Sequence, residues 1–179
     1  MLNTKSRDIH ADNIAAGWWN PARPNAVSLM LIVSEISEAS AAYASPLPKD
    51  DKLTDRYGLE VELADAVIRI LDLAGFACVD LEAECAALRR FDGRYRSKLP
   101  VHRALLEVVN ELSAAMEGDR KANRAHFARH LAAAYMRISE LCCDLSFDLW
   151  GAIEEKRAFN KIRLDHQLAQ RRAAGGKAY

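Results

Sequence analysis

The sequence predicts an all-α helical bundle, and three observations lead to this fold class. The helix-favouring residues Ala, Leu, Glu and Arg dominate the 179 positions, which include only 8 Gly and 5 Pro. Half of the residues are hydrophobic, so the chain can bury a core as a single domain over residues 1–179. Long apolar segments alternate with short stretches that contain Gly, Pro or Asp, which separate one helix from the next.

Four helices are predicted in the first half of the chain. Gly17 ends the first of them, and a linker that contains Pro46 and Pro48 follows the second. Asp80 is the predicted N-cap of the fourth, because its side-chain oxygen can accept from the free amides of a first turn. The predicted ranges are about 7–17, 25–43, 56–75 and 80–95.

Three further helices are predicted in the second half. Pro100 opens the fifth helix, which Gly118 and Asp119 end. Asp148 is the predicted N-cap of the seventh. The predicted ranges are about 100–116, 121–144 and 148–165, and we expect residues 166–179 to form a flexible tail.

Charge and hydropathy exclude several classes of function. Lys and Arg together number 25, as do Asp and Glu, so no basic excess points to duplex nucleic acid as a partner. No segment offers the roughly 18 uninterrupted apolar residues that span a bilayer, and the N-terminus lacks an apolar signal core. The four cysteines lie in apolar segments and are interpreted as small core residues in a reducing compartment. We therefore expect a cytoplasmic protein without a membrane partner.

An internal repeat runs through the chain. A shift of 68 positions places Leu63 on Leu131 and Asp80 on Asp148. A longer shift aligns the preceding helices. We therefore expect two related units, about 25–95 and 101–165, packed about a pseudo-twofold axis. Only the first unit keeps a set of acidic residues, and only the second keeps a set of Lys, Asn and Arg. Packing of the two units about this axis would bring both sets into one site.

Two acidic motifs lie in apolar helices of the first unit. The motifs are Glu35 with Glu38, and Glu62 with Asp65. Residues three apart share one face of a helix, so each motif aims two carboxylates in the same direction. Carboxylates on a core-facing surface need a cation, and oxygen ligands without His or Cys favour Mg²⁺, with Mn²⁺ as a substitute. The motifs predict a metal-dependent phosphate site, and the alternative is a solvated acidic face paired with Arg69 or Lys52.

Lys156, Asn160 and Arg163 form a second candidate set, at positions i, i+4 and i+7 of the seventh predicted helix. On one helical stripe they offer a point charge, an amide and a bidentate fork, which suit a triphosphate or a pyrophosphate. The alternative is a surface stripe paired with Glu154 and Glu155. The sequence leaves open whether this set meets the acids within one chain or across a dimer interface.

The residues that follow the first predicted helix are candidates for contact with a base. Trp18 and Trp19 offer rings for stacking, and Asn20 offers an amide for a base edge. The alternative is that the two adjacent aromatic residues cap the core. His126 and His130 lie four residues apart, and they are interpreted as structural because no third metal ligand is evident.

In their order along the chain, these motifs resemble those of the MazG-like, all-α nucleoside triphosphate pyrophosphohydrolase superfamily. That superfamily carries ExxE on one helix and ExxD on the next, followed by a K-x3-N-x2-R helix. The corresponding residues are Glu35/Glu38, Glu62/Asp65 and Lys156/Asn160/Arg163, and the resemblance covers most of residues 10–165. Ser34 stands where many members carry a further Glu, and two extra helices precede the Lys/Asn/Arg helix, which the duplication explains.

The resemblance implies a reaction, a cofactor and an assembly. The reaction is hydrolysis of a (deoxy)nucleoside triphosphate between its α- and β-phosphates, which yields a monophosphate and pyrophosphate. The cofactor is Mg²⁺ bound by the four acids, one of which, for example Glu38, orients the attacking water. The duplicated branch of the superfamily includes dimeric dUTPases, which are a precedent for the pseudo-dimeric layout. We expect a homodimer, with dUTP or dCTP as the nearest variant of the substrate.

Two interpretations from other classes compete with this enzyme. A degenerate helical module that binds a nucleotide or a protein without catalysis would explain the loss of acids from the second unit. A di-iron carboxylate bundle would also use acidic helices, but the usual Glu-x-x-His pairs are missing from the sequence.

Overall fold

The structure, a computed structural model, describes residues 1–44, 46–91, 98–166 and 168–172. Across these ranges the chain is all-helical, which confirms the predicted fold class. The described residues form α1 (Leu2–Ala15), α2 (Asn25–Ala42), α3 (Gly58–Phe76), α4 (Leu81–Phe91), α5 (Val101–Arg120), α6 (Arg124–Asp144), α7 (Leu149–Ile162), a 3-10 turn (Leu164–His166) and α8 (Leu168–Arg172).

Helix α3 is the centre of the bundle. Fourteen of its 19 residues are buried, because apolar side chains surround it on nearly every face. It packs against α1, α2, α6 and α7. A polar side chain on α3 is therefore enclosed by other helices, which explains how a site can form inside so apolar a segment.

The packing of the helices is reciprocal between the two halves of the chain. Helix α3 of the first half contacts α7 of the second, and α6 of the second contacts α4 of the first. Helix α2 also contacts α5, and α3 contacts α6. Such reciprocal contacts are compatible with a pseudo-twofold arrangement. The duplication itself stays a prediction, and residues 92–95 of the first predicted unit lie outside the described residues.

Both predicted Asp caps are present. Asp80 Oδ1 accepts from the amide of Ala83 at 3.0 Å, and Asp148 Oδ1 accepts from the amide of Gly151 at 3.0 Å. Helices α2 and α3 end within about two residues of their predicted bounds, which is the ordinary uncertainty of a helix end.

The predicted start of the first helix at residue 7 is wrong, because α1 begins at Leu2. Its first turn docks on the start of α4. There the N-terminal amine pairs with Glu82, and Asn3 Nδ2 donates to Asp80 Oδ1 at 2.7 Å. These long-range contacts, rather than a local cap, extend the helix to the N-terminus.

The prediction that Gly118 and Asp119 end the fifth helix is also wrong. Helix α5 continues to Arg120, and the turn before α6 falls at Ala122, which has a φ of 52°. Gly118 lies inside α5 because it allows a close approach: a Cβ there would lie 2.6 Å from the backbone nitrogen of Phe127. The glycine therefore brings α5 and α6 together instead of ending a helix.

We expect Gly118→Ala to destabilise the protein by about 1–3 kcal/mol, because the added methyl group meets backbone that cannot rotate away. This cost exceeds the gain of up to about 1 kcal/mol in helix propensity. Urea denaturation measures the change. Gly58→Ala is the matched control, since a Cβ there meets the nearest side chain at 3.4 Å, an ordinary contact. An unchanged midpoint for Gly118→Ala would contradict the packing argument.

The C-terminal end of the chain differs from the prediction as well. Helix α7 ends at Ile162 instead of residue 165, and Arg163 adopts an extended backbone at its C-cap. Part of the predicted tail forms α8, and residues 173–179 lie outside the described residues. None of the described helices is both long and apolar enough to cross a membrane.

The cysteine prediction holds for only two of the four residues. Cys85 and Cys142 are buried, whereas Cys78 and Cys143 are exposed, and all four are free thiols. The exposed pair lies at helix ends, Cys78 just after α3 and Cys143 in the last turn of α6. An apolar segment alone does not show which of its residues face the core.

Candidate metal and phosphate site

A cavity of about 640 Å³ lies where α1, α2, α3 and α7 meet. All seven residues that the sequence predicts to bind metal or phosphate line it: Glu35, Glu38, Glu62, Asp65, Lys156, Asn160 and Arg163. The acids come from the first half of the chain and the Lys/Asn/Arg set from the second. Both sets therefore meet within one chain.

Three of the four predicted acids form a compact group. Glu62 and Asp65 lie one turn apart on α3, and Glu35 reaches them from α2. One oxygen from each carboxylate lies within 4.8 Å of the others, and this is the only such group of potential metal ligands in the described part of the chain. Glu38 is exposed and lines the same cavity outside this group.

Two acids of the group, Glu35 and Asp65, each pair with a cationic side chain. Arg69 Nε donates to Glu35 Oε1 at 2.6 Å, and Lys156 Nζ lies 2.7 Å from Asp65 Oδ2. Within the described residues, Oε2 of Glu62 is buried and has no hydrogen-bond partner. An unpartnered buried carboxylate oxygen is costly, so the third acid of the group lacks the compensation that the other two have.

The placement of Lys156 depends on contacts at the start of α7. Glu60, near the start of α3, accepts from Arg56 Nη1 at 2.8 Å and from the backbone amide of Asp148 at 3.0 Å. Arg56 Nη2 also donates to Glu155 at 2.7 Å. These bonds fix the first turn of α7 against α3, so Lys156, two turns further along, faces Asp65.

Burial raises the pKa values of all three acids. Burial and the neighbouring Asp65 raise the pKa of Glu62 to about 7, which Lys156 only partly opposes. Burial also raises the pKa of Glu35 against the attraction of Arg69, and that of Asp65 against the attraction of Lys156. Burial alone would lower the pKa of Lys156, but the charge and hydrogen bond of Asp65 raise it above its ordinary value. Lys156 is therefore a stable cation.

The residues present fit a divalent metal ion with a preference for oxygen. All the donors of the compact group are carboxylate oxygens, which suit Mg²⁺ or Mn²⁺ rather than zinc. Oε2 of Glu62 has no hydrogen-bond partner among the described residues, so a cation near it would supply compensation that the protein does not. Glu35, Glu62 and Asp65 would hold such an ion.

The structure agrees with neither alternative for the charged sets in full, although Glu38 is exposed. Lys156 is 4% exposed and pairs with Asp65, so it is not part of a surface stripe with Glu154 or Glu155. Glu35 does pair with Arg69, but at 6% exposure it lies in the core rather than on a solvated face.

The other two members of the basic and amide set lie further along the cavity. Asn160 lines it, and its Oδ1 is buried without a hydrogen-bond partner among the described residues. Arg163 is half-buried and lies just beyond the end of α7. The amide and the guanidinium therefore lie on the same side of the cavity as Lys156.

The two tryptophans have different surroundings. Trp18 lines the cavity, with the Arg171 guanidinium 3.4 Å from its ring centroid and the ring of His166 edge-on at 5.1 Å. Trp19 stacks on Phe76 at 4.2 Å and donates its Nε1 to Asp72 at 2.9 Å. Trp19 thus anchors the loop after α1 to α3, as the core-capping alternative describes. Asn20 is exposed and does not line the cavity.

Sequence reasoning missed several charged residues of the cavity. Asp12 of α1 pairs with Arg157 at 2.8 Å and with Lys161 at 3.2 Å. Arg157 and Lys161 directly follow Lys156 and Asn160 in the sequence, and this position could have predicted that they lie near the same cavity. Arg69, one turn after Asp65, is named in the sequence analysis only as a partner of a solvated acidic face, yet it contacts a predicted metal ligand directly. In all, six carboxylates and seven Lys or Arg side chains line the cavity.

The corresponding positions of the second half also contact each other. Glu111, which aligns with Glu35, lies 2.7 Å from His130 Nδ1, which aligns with Glu62. His126 lies beside His130, with a ring-centroid separation of 4.3 Å. The two imidazoles belong to no three-ligand group within the described ranges, which fits the structural interpretation.

We expect the metal-free protein to lose stability as the pH rises from about 4.5 to about 7. Between these values folded Glu62, with its pKa of about 7, holds a proton that the unfolded chain has released. Because the folded state then binds more protons, removing protons favours unfolding. Burial raises the pKa of Glu140 to about 7 as well, so this residue contributes in the same window.

Thermal unfolding in EDTA across this pH range tests the expectation. Glu62→Gln and Glu140→Gln should each flatten the decline, and the double variant should flatten it further. A Glu62→Gln protein with the full wild-type slope would show that Glu62 ionises normally in the fold.

Comparisons of the chain with protein-family models, with curated proteins and with solved structures found no match. The functional argument therefore depends on the residues of the cavity.

Proposed function

We propose that the protein is a Mg²⁺-dependent nucleoside triphosphate pyrophosphohydrolase that converts a (deoxy)nucleoside triphosphate and water into the monophosphate and pyrophosphate. One observation carries the proposal: a single cavity combines a buried group of three carboxylates with a set of Lys, Asn and Arg. Metal-assisted cleavage of a polyphosphate needs both, the acids for the ion and the cations for the phosphate oxygens.

Each residue has a role that its position supports. Glu35, Glu62 and Asp65 hold the metal, and Lys156, at the boundary between the acids and Asn160, binds a phosphate close to it. Arg163 offers a bidentate fork for the pyrophosphate end. When bound, Mg²⁺ supplies Lewis-acid chemistry, because it neutralises charge on the phosphate oxygens and activates water.

Glu38 is the residue that we assign to orient the attacking water. It lines the cavity but lies outside the compact group, so its carboxylate remains accessible. In the proposed reaction, a water oxygen forms the new bond to phosphorus, the anhydride bond between the α- and β-phosphates breaks, and pyrophosphate leaves with the electron pair. The water proton passes to Glu38 and then to solvent.

The substrate and the assembly belong to the proposal as well. Trp18 lies at the edge of the cavity, where its ring could contact a base. We propose a cytoplasmic homodimer that maintains the nucleotide pool, with dUTP or dCTP as the nearest specific variants. Because both residue sets lie in one chain, each protomer would carry its own site.

A non-catalytic module is the second candidate, and one observation favours it. Arg69 and Lys156 each form an ion pair with one of the three acids, Glu35 and Asp65 respectively. A protein that had lost catalysis could keep such internal pairs for stability alone. This candidate predicts no Mg²⁺-dependent stabilisation and no turnover.

Product analysis tests both candidates. The purified protein is incubated with Mg²⁺ and each of the common ribo- and deoxyribonucleoside triphosphates, and monophosphate and pyrophosphate are quantified. We expect both products in equal amounts from at least one substrate. Loss of both with Glu62→Ala, but not with Glu140→Ala, would assign them to the cavity. No turnover from folded protein across the whole panel would favour the non-catalytic module.

A mixing experiment tests whether the site lies in one chain. The Glu38→Ala and Arg163→Ala proteins are unfolded, mixed and refolded together, so that any dimers can contain one subunit of each variant. Because one chain supplies both residues, we expect no activity beyond the sum of the two variants. Recovery of activity would mean that the working site is shared between chains.

A further inference from the structure

We infer that Arg69 exchanges partners when substrate binds. In the structure its guanidinium pairs with Glu35, and on substrate binding it would turn to a phosphate while Glu35 becomes a ligand of the metal. Metal and polyphosphate would therefore bind cooperatively, each weakly alone and tightly together. The inference rests on the proposed function and adds a positioning residue that couples its two ligands.

The contact with Glu35 places Arg69 at the boundary of the cavity. The Glu35 side chain is 8% exposed, whereas that of Arg69 is 36% exposed. The guanidinium thus lies between a buried acid and open cavity space. Among the described residues its guanidinium makes one hydrogen bond, from Nε to Glu35, so a single bond has to break before the planar fork can turn to a phosphate.

Lys156 differs from Arg69 in its freedom to move. Its side chain is 5% exposed and lies 2.7 Å from Asp65, in the part of α7 that packs on α3. Arg69 has the longer side chain and the more open surroundings. Of the two cations that pair with the acidic group, Arg69 is therefore the one that can leave its acid at low cost.

The charge of the cavity explains why this exchange couples the two ligands. Six carboxylates and seven cationic side chains line the cavity, so its charge is nearly balanced before any ligand enters. A divalent metal alone adds positive charge and competes with Arg69 for Glu35. A polyphosphate alone meets acids that no metal neutralises. Together they preserve the balance, and by linkage each then raises the affinity for the other.

Calorimetric titration with pyrophosphate, a ligand that the site would not hydrolyse, tests the inference. The dissociation constants of Mg²⁺ alone, of pyrophosphate alone, and of pyrophosphate at several fixed concentrations of free Mg²⁺ are measured. For the wild type we expect Mg²⁺ to tighten pyrophosphate binding about 10- to 100-fold. Arg69→Gln should tighten the binding of Mg²⁺ alone about tenfold, weaken pyrophosphate binding at saturating Mg²⁺ about tenfold, and reduce the coupling at least about fivefold.

Two further variants separate this role from a structural one. Arg69→Lys keeps the charge and should retain part of the coupling, whereas a merely structural loss would not be rescued in this way. Arg120→Gln is the matched control, because Arg120 is 66% exposed and pairs with Glu117 far along α5. It should leave all three constants unchanged.

The outcomes distinguish the inference from the function on which it rests. Synergy in the wild type that Arg69→Gln leaves unchanged would overturn the inference and leave the proposed function standing. Tight binding of Mg²⁺ alone, with no change in the affinity for pyrophosphate, would also overturn the inference and leave the proposed function standing. Absence of any binding of either ligand to folded wild-type protein would remove the proposed function and the inference together.

Discussion

Lys156→Met is expected to destabilise the metal-free protein by about 3 kcal/mol and to abolish nucleotide hydrolysis. Lys156 is the cation 2.7 Å from Asp65, and its side chain is only 5% exposed. Removing one partner of a buried ion pair leaves the other charge without compensation, which costs far more than the pair contributes when intact. Urea denaturation in EDTA measures the loss of stability, and pyrophosphate release measures the loss of turnover.

Two variants show whether the loss comes from the buried pair. Lys161→Met removes a cation of the same helix that is 63% exposed, so its stability should change by less than about 0.5 kcal/mol. The double variant Lys156→Met/Asp65→Asn should recover most of the lost stability without recovering activity, because no buried charge is then unpaired. A Lys156→Met protein as stable as the wild type would mean that Asp65 is not charged in the fold.

Glu62→Gln is expected to lower turnover about 10³-fold or more and to remove the stabilisation of the protein by Mg²⁺. Glu62 is one of the three carboxylates of the acidic group and carries a buried oxygen without a partner among the described residues, so the neutral amide removes one anionic ligand from the proposed metal site. The same substitution should leave the metal-free protein equally stable or more stable above pH 7. Burial and neighbouring acids disfavour the charge that Glu62 carries there, as its raised pKa of about 7 indicates.

Thermal shift with and without Mg²⁺ separates these two effects. Glu111→Gln is the matched control, because Glu111 occupies the position of the second half that aligns with Glu35 and does not line the cavity. It should keep both the Mg²⁺-dependent shift and the turnover of the wild type. If Glu62→Gln kept the Mg²⁺-dependent shift, the ion would bind somewhere other than the acidic group.

The sequence predicts the fold class, the order of the helices and the convergence of the two charged sets. These features follow from local rules: apolar spacing sets the helices, and i, i+3 spacing sets the face that each acid occupies. All seven predicted residues line one cavity, so these local rules were sufficient to predict which side chains meet when the motifs lie on long helices with clear ends.

The remaining details depend on contacts between distant parts of the chain, which spacing cannot supply. Glu38 and Glu35 share a face of α2, yet Glu38 is exposed while Glu35 is buried and paired with Arg69 of α3. Gly118 has the local character of a helix end, but the backbone of Phe127 requires it inside α5. Trp19 is adjacent to Trp18 and differs from it because Asp72, on another helix, accepts its indole N–H.

The pairing of Asp65 with Lys156 has a consequence for the way the protein is made. During translation the helix that carries Asp65 leaves the ribosome long before the helix that supplies its cation, so the nascent chain holds the acidic group without Lys156 to oppose it. A product that terminates before α7 would lack both the cation and one wall of the cavity. Such a fragment would keep α3 partly open to water, and we expect cellular proteases to remove it. Completion of the last long helix is therefore the step at which a new chain pairs Asp65 and closes its cavity.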